Sequence, residues 1–120
     1  MEDNQLVVQS LDLAVKIIGL AKELKNAKEY NMSDQIGRSG TSVGANIKEA
    51  QFAISRADFI AKMQIALNES NETSYWLELL KRTGYITVDK YKEIENLNVS
   101  IRTMLIATLK TSKKAINDRK

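Results

Sequence analysis

The chain begins with apolar residues that recur at alternating intervals of four and three positions. This spacing is typical of an amphipathic helix that packs one side against a core. We predict a first helix over residues 5 to 29 and a break at residues 30–33, where Asn31 or Ser33 is expected to cap the second helix. Its predicted core positions are Leu6, Leu13, Ile17, Leu20, Leu24 and Ala27. A neighbouring stripe indicates contact with a further helix and consists of Val7, Leu11, Ala14, Ile18 and Ala21.

The second predicted helix, residues 34 to 53, is unusual because glycines lie inside it at positions 37, 40 and 44. Each glycine in a helix interior costs roughly 1 kcal/mol relative to alanine. A residue without Cβ lets two helices approach closely, so we predict close helix packing here. The core spacing is kept by Ile36, Gly40, Val43, Ile47, Ala50 and Ile54.

Capping signals delimit the last two predicted helices. Ser55 and Asp58 form a capping box where the third helix starts, near residue 56, and Gly84 suits the left-handed conformation just past its end. Thr87 is expected to cap the fourth helix. The third-helix positions predicted to face inward are Phe59, Met63, Ala66, Leu77 and Leu80.

The fourth helix has an unusually wide apolar face. One stripe consists of Ile94, Leu97, Ile101 and Met104. The residues that broaden it are Leu105, Ile106 and Leu109. A face this wide predicts that the helix buries more apolar surface than one intramolecular helix–helix contact would cover. Because every connection is short, the predicted fold is an all-α, up-down-up-down antiparallel four-helix bundle in which residues 1–120 form one domain.

Composition narrows the range of functions. The chain contains no Cys and no His, so it lacks thiolate and imidazole ligands and the usual neutral-pH general base. We therefore predict no enzyme, no cofactor, no metal and no small-molecule substrate. The first five residues are acidic in character, and no apolar run approaches the ~18 residues of a membrane span. A cytoplasmic protein without a membrane partner is expected.

Polar residues on the second and third helices form the most distinctive cluster. On the third helix, Glu69 and Glu72 interrupt a stripe that is otherwise apolar. We predict that Arg38 pairs with Glu69 or Glu72 and that nearby hydroxyl and amide groups complete the hydrogen bonding, which would fix helix register or a subunit contact. The predicted structural polar cluster comprises Arg38, Ser39, Ser42, Asn46, Glu49, Glu69 and Glu72.

The carboxylates of the polar cluster could alternatively bind a metal ion or act as acid and base, and the sequence favours neither role. Di-metal centres in helical bundles use Glu-x-x-His motifs, whereas Glu49, Glu69 and Glu72 would offer a hard cation oxygen ligands alone. Paired carboxylates can also serve as general acid and base, but such work needs a concave pocket that a bundle with short connections does not offer.

The positive charge is modest overall and concentrated near the end of the chain. The net charge is +3, and the last eleven residues hold five cations against Asp118 alone. These cations are Lys110, Lys113, Lys114, Arg119 and Lys120. They either complement the negative pole of the last helix or bind an anionic partner.

Several motifs of the second and third helices resemble those of a known family. They include Ile36-Gly37-Arg38-Ser39, Asn46-Ile47-Lys48-Glu49-Ala50 and Asn71-Glu72-Thr73. The chain resembles, over roughly residues 10 to 112, the bacterial four-helix bundle proteins encoded in 23S ribosomal RNA intervening sequences. Lys48 and Ala50 depart from the family's usual Ala and Gly. The resemblance implies a homopentamer, and a relationship to the accessory proteins of diversity-generating retroelements, which bind reverse transcriptase and RNA.

We therefore expect an oligomeric bundle whose basic surface binds structured RNA or a ribonucleoprotein through phosphate electrostatics. The alternative is a protein–protein interaction scaffold with no nucleic-acid role. The predicted RNA contacts are Lys16, Lys22, Lys25, Lys28, Arg102, Lys110, Lys113 and Lys114.

Overall fold

A computed structural model describes residues 4–118, and these form four helices. The helices are α1 (Gln5–Asn26), α2 (Tyr30–Ala50), α3 (Arg56–Arg82) and α4 (Val88–Asp118). Each packs against the next along the chain, and α1 also packs against α4, so the predicted up-down-up-down bundle is confirmed. The predictions that concern the acidic first three residues and the cations Arg119 and Lys120 lie outside the described residues.

Most of the residues that we predicted to form the core are buried, with a few exceptions. The largest fully buried side chains are Leu13, Ile17, Leu20, Ile36, Ile47, Met63, Leu77, Leu80, Ile94, Ile101, Leu105 and Val43. The prediction was wrong for Ala27, which is exposed beyond the end of α1, and for Ile54, which is 94% exposed because α2 ends at Ala50. Phe59 is only half-buried.

The wide apolar face of α4 is largely covered by two neighbouring helices. Ile94, Ile101, Leu105 and Leu109 are buried and Leu97 and Met104 are half-buried, whereas Ile106 is 40% exposed. The reason is that α4 packs against both α3 and α1, which together cover a broad arc of its surface. None of the helices within residues 4–118 is long and apolar enough to cross a membrane.

The first turn differs from the predicted one. Helix α1 ends at Asn26 and α2 begins at Tyr30, so the predicted break at residues 30–33 was wrong. The chain turns instead through Lys28, whose φ is +64°, and the N–H of Glu29 donates to the carbonyl of Leu24 at 2.8 Å. This arrangement is a Schellman motif with a lysine at the position that usually carries glycine. Because this turn contains no glycine, the usual sequence signal for the end of a helix is absent here.

The predicted caps of α2 are absent as well. The residue before α2 is Glu29, which makes no capping hydrogen bond through its side chain. Ser33 lies inside α2, where its hydroxyl donates to the carbonyl of Ala21 on α1 at 2.7 Å. The serine that looked like a cap thus ties the first two helices together.

Replacing Lys28 with glycine is expected to stabilise the protein by about 1 kcal/mol, because a side chain in the left-handed region costs about that much. Thermal or urea unfolding would measure the gain. The matched control is Asn26→Gly at the last helical residue, which should destabilise by up to about 1 kcal/mol. Equal effects of the two substitutions would contradict the assigned turn.

The later caps occur where the sequence places them. The N–H of Asp58 donates to Ser55 Oγ at 3.0 Å, and the Asp58 carboxylate accepts from the N–H of Ile54 at 3.2 Å. The N–H of Lys90 donates to Thr87 Oγ1 at 3.1 Å. Gly84, with φ +82°, follows the end of α3.

The α2 glycines bring α1 and α2 together, though not equally. A Cβ on Gly40 would lie 2.6 Å from both Cγ1 and Cγ2 of Ile17, and one on Gly44 would lie 3.2 Å from the Ser10 carbonyl oxygen. A Cβ on Gly37 would meet only the Cβ of Ala21, at an ordinary 3.7 Å. Close helix approach therefore requires glycine at position 40 and favours it at position 44.

Candidate functional site

Arg38 joins α2 to α3 by contacting two carboxylates one turn apart. Its Nη1 lies 3.2 Å from Glu69 Oε2, and its Nη2 donates to Glu72 Oε2. Trp76 Nε1 also donates to Glu72 Oε2, at 3.1 Å. The guanidinium remains half exposed. Two carboxylates around one cation leave this cluster without excess positive charge.

The other members of the predicted polar cluster have different partners from those we expected. Ser39 is buried and accepts a hydrogen bond from Thr73 Oγ1 on α3 at 3.1 Å. Ser42 and Asn46 donate to backbone carbonyls of their own helix, those of Arg38 and Ser42 respectively. Ser39 therefore links α2 to α3 through Thr73, whereas the Ser42 hydroxyl and the Asn46 amide make no side-chain bond to α3.

Glu49 lies apart from the other two carboxylates. It is exposed near the end of α2, about three helical turns beyond Arg38. Within residues 4–118, no three acidic side chains are arranged to hold a metal ion. The cluster around Arg38 thus consists of an interhelical ion pair and hydrogen bonds that can set the register of α2 against α3.

Sequence reasoning missed a second, more deeply buried network between α3 and α4. Asn98 is fully buried; its Oδ1 accepts from Ser70 Oγ at 2.8 Å. Its Nδ2 donates to Ser74 Oγ at 2.9 Å and to Glu95 Oε1 at 3.0 Å. Asn98 continues the core spacing of Ile94, Ile101 and Leu105, so a polar residue on an apolar register is the signal that could have found it.

Two of the predicted RNA contacts bond to other side chains of the same chain. Lys16 Nζ donates to Glu93 Oε2 on α4 at 2.8 Å, and this hydrogen bond lowers the pKa of Glu93. Arg102 Nη1 donates to Ser74 Oγ on α3 at 2.7 Å. Both side chains are half-buried, so they contribute less free charge to the surface than their sequence positions suggest.

The other predicted contacts fall into two groups at opposite ends of the bundle. Lys16 lies beside Glu93 and Gln9 beside Ser100, which fixes the register of the antiparallel helices α1 and α4. In this register Lys22 is level with the start of α4, and Lys110 lies roughly 33 Å further along the axis. One group comprises Lys22 and Lys25 on α1 with Lys28 in the turn that follows, and the other comprises Lys110, Lys113 and Lys114 on α4.

A shallow groove joins the α1 group to the polar cluster. It lies between α1 and α2, has a volume of about 340 Å³ and contains three cationic side chains, those of Lys22, Lys25 and Arg38. Asp34 is the one acidic residue in its lining, and Gly37 leaves the α2 side open. We refer to it as the basic groove.

Comparison with known proteins gives a family and a solved relative. The family model of the 23S rRNA-intervening sequence proteins matches residues 2–107. A crystal structure of a protein of unknown function from the S23 ribosomal protein family of Bacteroides thetaiotaomicron VPI-5482 is 56% identical, with a TM-score of 0.86; the match covers 88% of this chain and 98% of that one. No curated protein matches. The chain therefore belongs to the 23S rRNA-intervening sequence protein family.

Proposed function

We propose that this protein acts without catalysis, as an oligomer that binds structured RNA or a ribonucleoprotein through phosphate contacts. The observation that carries the proposal is the basic groove, where Lys22 and Lys25 lie on one wall and Asp34 is the one acidic residue of the lining. Arg38 adds guanidinium donors at the groove edge, while Glu69 and Glu72 balance its charge. Convergent cations on a rigid scaffold bind phosphate groups by charge, whatever the base sequence.

The chemistry of the groove suits phosphate more than carboxylate-rich protein surfaces. Lys22 and Lys25 are exposed, so their ammonium groups can reach successive phosphates along a strand. Arg38 is held at the groove edge by its carboxylate partners on α3 and keeps half of its side-chain surface open to solvent. A fork of donors fixed in this way presents a planar contact to a phosphate oxygen.

The test is binding of fluorescein-labelled 23S ribosomal RNA hairpins at about 50 mM and about 200 mM KCl. We expect affinity to fall steeply with salt. The variant Lys22→Glu with Lys25→Glu should bind at least about tenfold more weakly and show a salt slope that is smaller by about two, because two phosphate contacts are lost.

The matched control reverses two cations at the opposite end, Lys110→Glu with Lys113→Glu, and so changes the net charge equally. Its affinity should fall less than that of the groove variant. Binding that does not respond to salt, or equal losses in both variants, would contradict a phosphate site in the basic groove.

A further inference from the structure

The turn between α2 and α3 carries the two most exposed large apolar side chains of residues 4–118. Phe52 is 76% exposed and Ile54 is 94% exposed. We refer to Phe52, Ala53 and Ile54 as the α2–α3 tip, since this turn joins two long helices at one end of the bundle. Two large apolar side chains next to each other form a small apolar patch, which marks an interaction surface when charged residues rim it.

Local hydrogen bonds hold the backbone of the α2–α3 tip in place. The N–H groups of Phe52 and Ala53 donate to carbonyls in the last turn of α2, at 3.0 and 3.1 Å. The N–H of Ile54 donates to the Asp58 carboxylate at 3.2 Å, within the capping box of α3. Because all three N–H groups of the tip are bonded inside the protein, the tip can enter a less polar environment without leaving a donor unpaired.

Cationic side chains collect at the same end of the bundle. The Lys48 ammonium lies 5.9 Å from the centre of the Phe52 ring, and Arg56 is the first residue of α3. Asn98 lies beside Ser70, so the start of α3, about 21 Å away along the helix, is level with the last lysines of α4. The cations at this end are Lys48, Arg56, Lys62, Lys110, Lys113 and Lys114.

These cations outnumber the acidic side chains around them. The acidic residues that the structure describes at this end are Glu49, Asp58 and Asp118, half as many as the cations. Within residues 4–118, none of the six cations forms an ion pair. An apolar patch rimmed by excess positive charge is complementary to a surface that is anionic outside and apolar beneath.

We propose that the α2–α3 tip docks on the surface of an anionic lipid bilayer. Phe52 and Ile54 enter the boundary between headgroups and acyl chains, and the cations behind them contact lipid phosphates. A bilayer fits better than RNA because Ile54, the more exposed of the two, has no aromatic face to stack on a base, whereas hydrocarbon accepts both side chains.

This inference goes beyond RNA binding, because the basic groove lies toward the opposite end of the bundle. It also revises our sequence-based expectation that the protein has no membrane partner. That expectation rested on the lack of an apolar run long enough to cross a bilayer. Docking on a bilayer surface needs no such run, only a few apolar side chains and nearby cations.

The test is co-sedimentation of the full chain with vesicles made of equal parts phosphatidylglycerol and phosphatidylcholine. Vesicles of phosphatidylcholine alone are the neutral reference. We expect binding to the anionic vesicles that weakens as KCl is added, because salt screens the attraction between the cations and the lipid. Neutral vesicles should bind much less protein.

Phe52→Ser and Ile54→Ser should each weaken binding to the anionic vesicles by at least about fivefold, because a large apolar side chain no longer leaves water. Circular dichroism should show unchanged helix content, since both side chains are exposed. The matched control is Val88→Ser at the opposite end of the bundle. Val88 is 54% exposed, and its replacement should leave vesicle binding unchanged.

Charge reversals separate this site from the basic groove. Lys110→Glu with Lys113→Glu should weaken vesicle binding by at least about tenfold, since each cation near an anionic bilayer contributes roughly fivefold. Lys22→Glu with Lys25→Glu changes the net charge equally and should lower vesicle binding far less. RNA binding should respond to the two pairs in the opposite order, so a failure of one proposal is distinguishable from a failure of the other.

Phe52→Leu separates apolar insertion from stacking on a base, because leucine keeps an apolar side chain and removes the aromatic face. This variant should keep most of the vesicle binding. The inference is overturned if wild-type protein does not bind the anionic vesicles, if both serine variants bind like wild type, or if Phe52→Leu loses as much as Phe52→Ser. A tip that stacks on RNA instead would show as weaker RNA binding by Phe52→Ser without any vesicle binding.

Discussion

Replacing Gly40 with alanine is expected to lower the free energy of unfolding by about 3 kcal/mol, although alanine is the better helix former. The added Cβ would lie 2.6 Å from two γ-carbons of Ile17. Ile17 is fully buried and β-branched, so its side chain has essentially one rotamer available in a helix and cannot swing away. Helices α1 and α2 would have to separate, which loosens the packing along their shared seam. Chemical denaturation monitored by circular dichroism measures the change.

The control is Gly37→Ala, one turn earlier in the same helix. There the new Cβ meets only Ala21 Cβ at 3.7 Å, so the helix-propensity gain of up to about 1 kcal/mol should appear as increased stability. The two substitutions are chemically identical and differ only in what faces them. If both variants shift stability in the same direction, the close approach at Gly40 does not exist in solution.

A double-mutant cycle locates the effect in the contact with Ile17. In an Ile17→Ala background, the two γ-carbons that lie 2.6 Å from the new Cβ are absent, and only the Cβ of residue 17, at 3.0 Å, remains close. Gly40→Ala should then cost less than in the wild type by about 1 to 3 kcal/mol, the range found for residues in direct contact. Additive effects of the two substitutions would assign the loss to another cause.

Asn98→Ala is expected to destabilise the protein by about 3 kcal/mol, because it removes the centre of the buried network between α3 and α4. The Ser70 hydroxyl would lose its acceptor, and Ser74 and Glu95 would lose the donor that lies between them. An unpaired hydroxyl in the core retains its full desolvation cost, and the missing amide leaves a cavity.

Asn96→Ala is the matched control, since this asparagine is exposed on the same helix. It should change stability by no more than about 0.5 kcal/mol. Unfolding in urea compares the two variants at equal net charge. A loss at Asn98 no larger than that at Asn96 would show that the network contributes nothing to the fold.

The sequence alone determined the number of helices, their order and most of the core. The reason is that apolar residues at intervals of four and three positions define a helix face locally, and short connections leave antiparallel packing as the only arrangement. Ser55, Thr87 and Gly84 marked helix boundaries correctly because capping depends on neighbouring backbone groups. The first turn was misplaced because Lys28 occupies a left-handed position that lysine rarely adopts.

Only the tertiary structure decided which residues from distant parts of the chain come together. Spacing along a helix does not reveal that Gly40 faces Ile17 while Gly37 does not, since this depends on the crossing of two helices. Equally, eight cations spread along the sequence gave no sign that Lys16 is paired and that Lys22 and Lys25 share a groove with Arg38. The apolar face of α4 is largely covered because α4 packs against both α1 and α3. On α1, Leu11, Val15 and Ile18 remain exposed because they point away from α2 and α4, the two helices that α1 contacts.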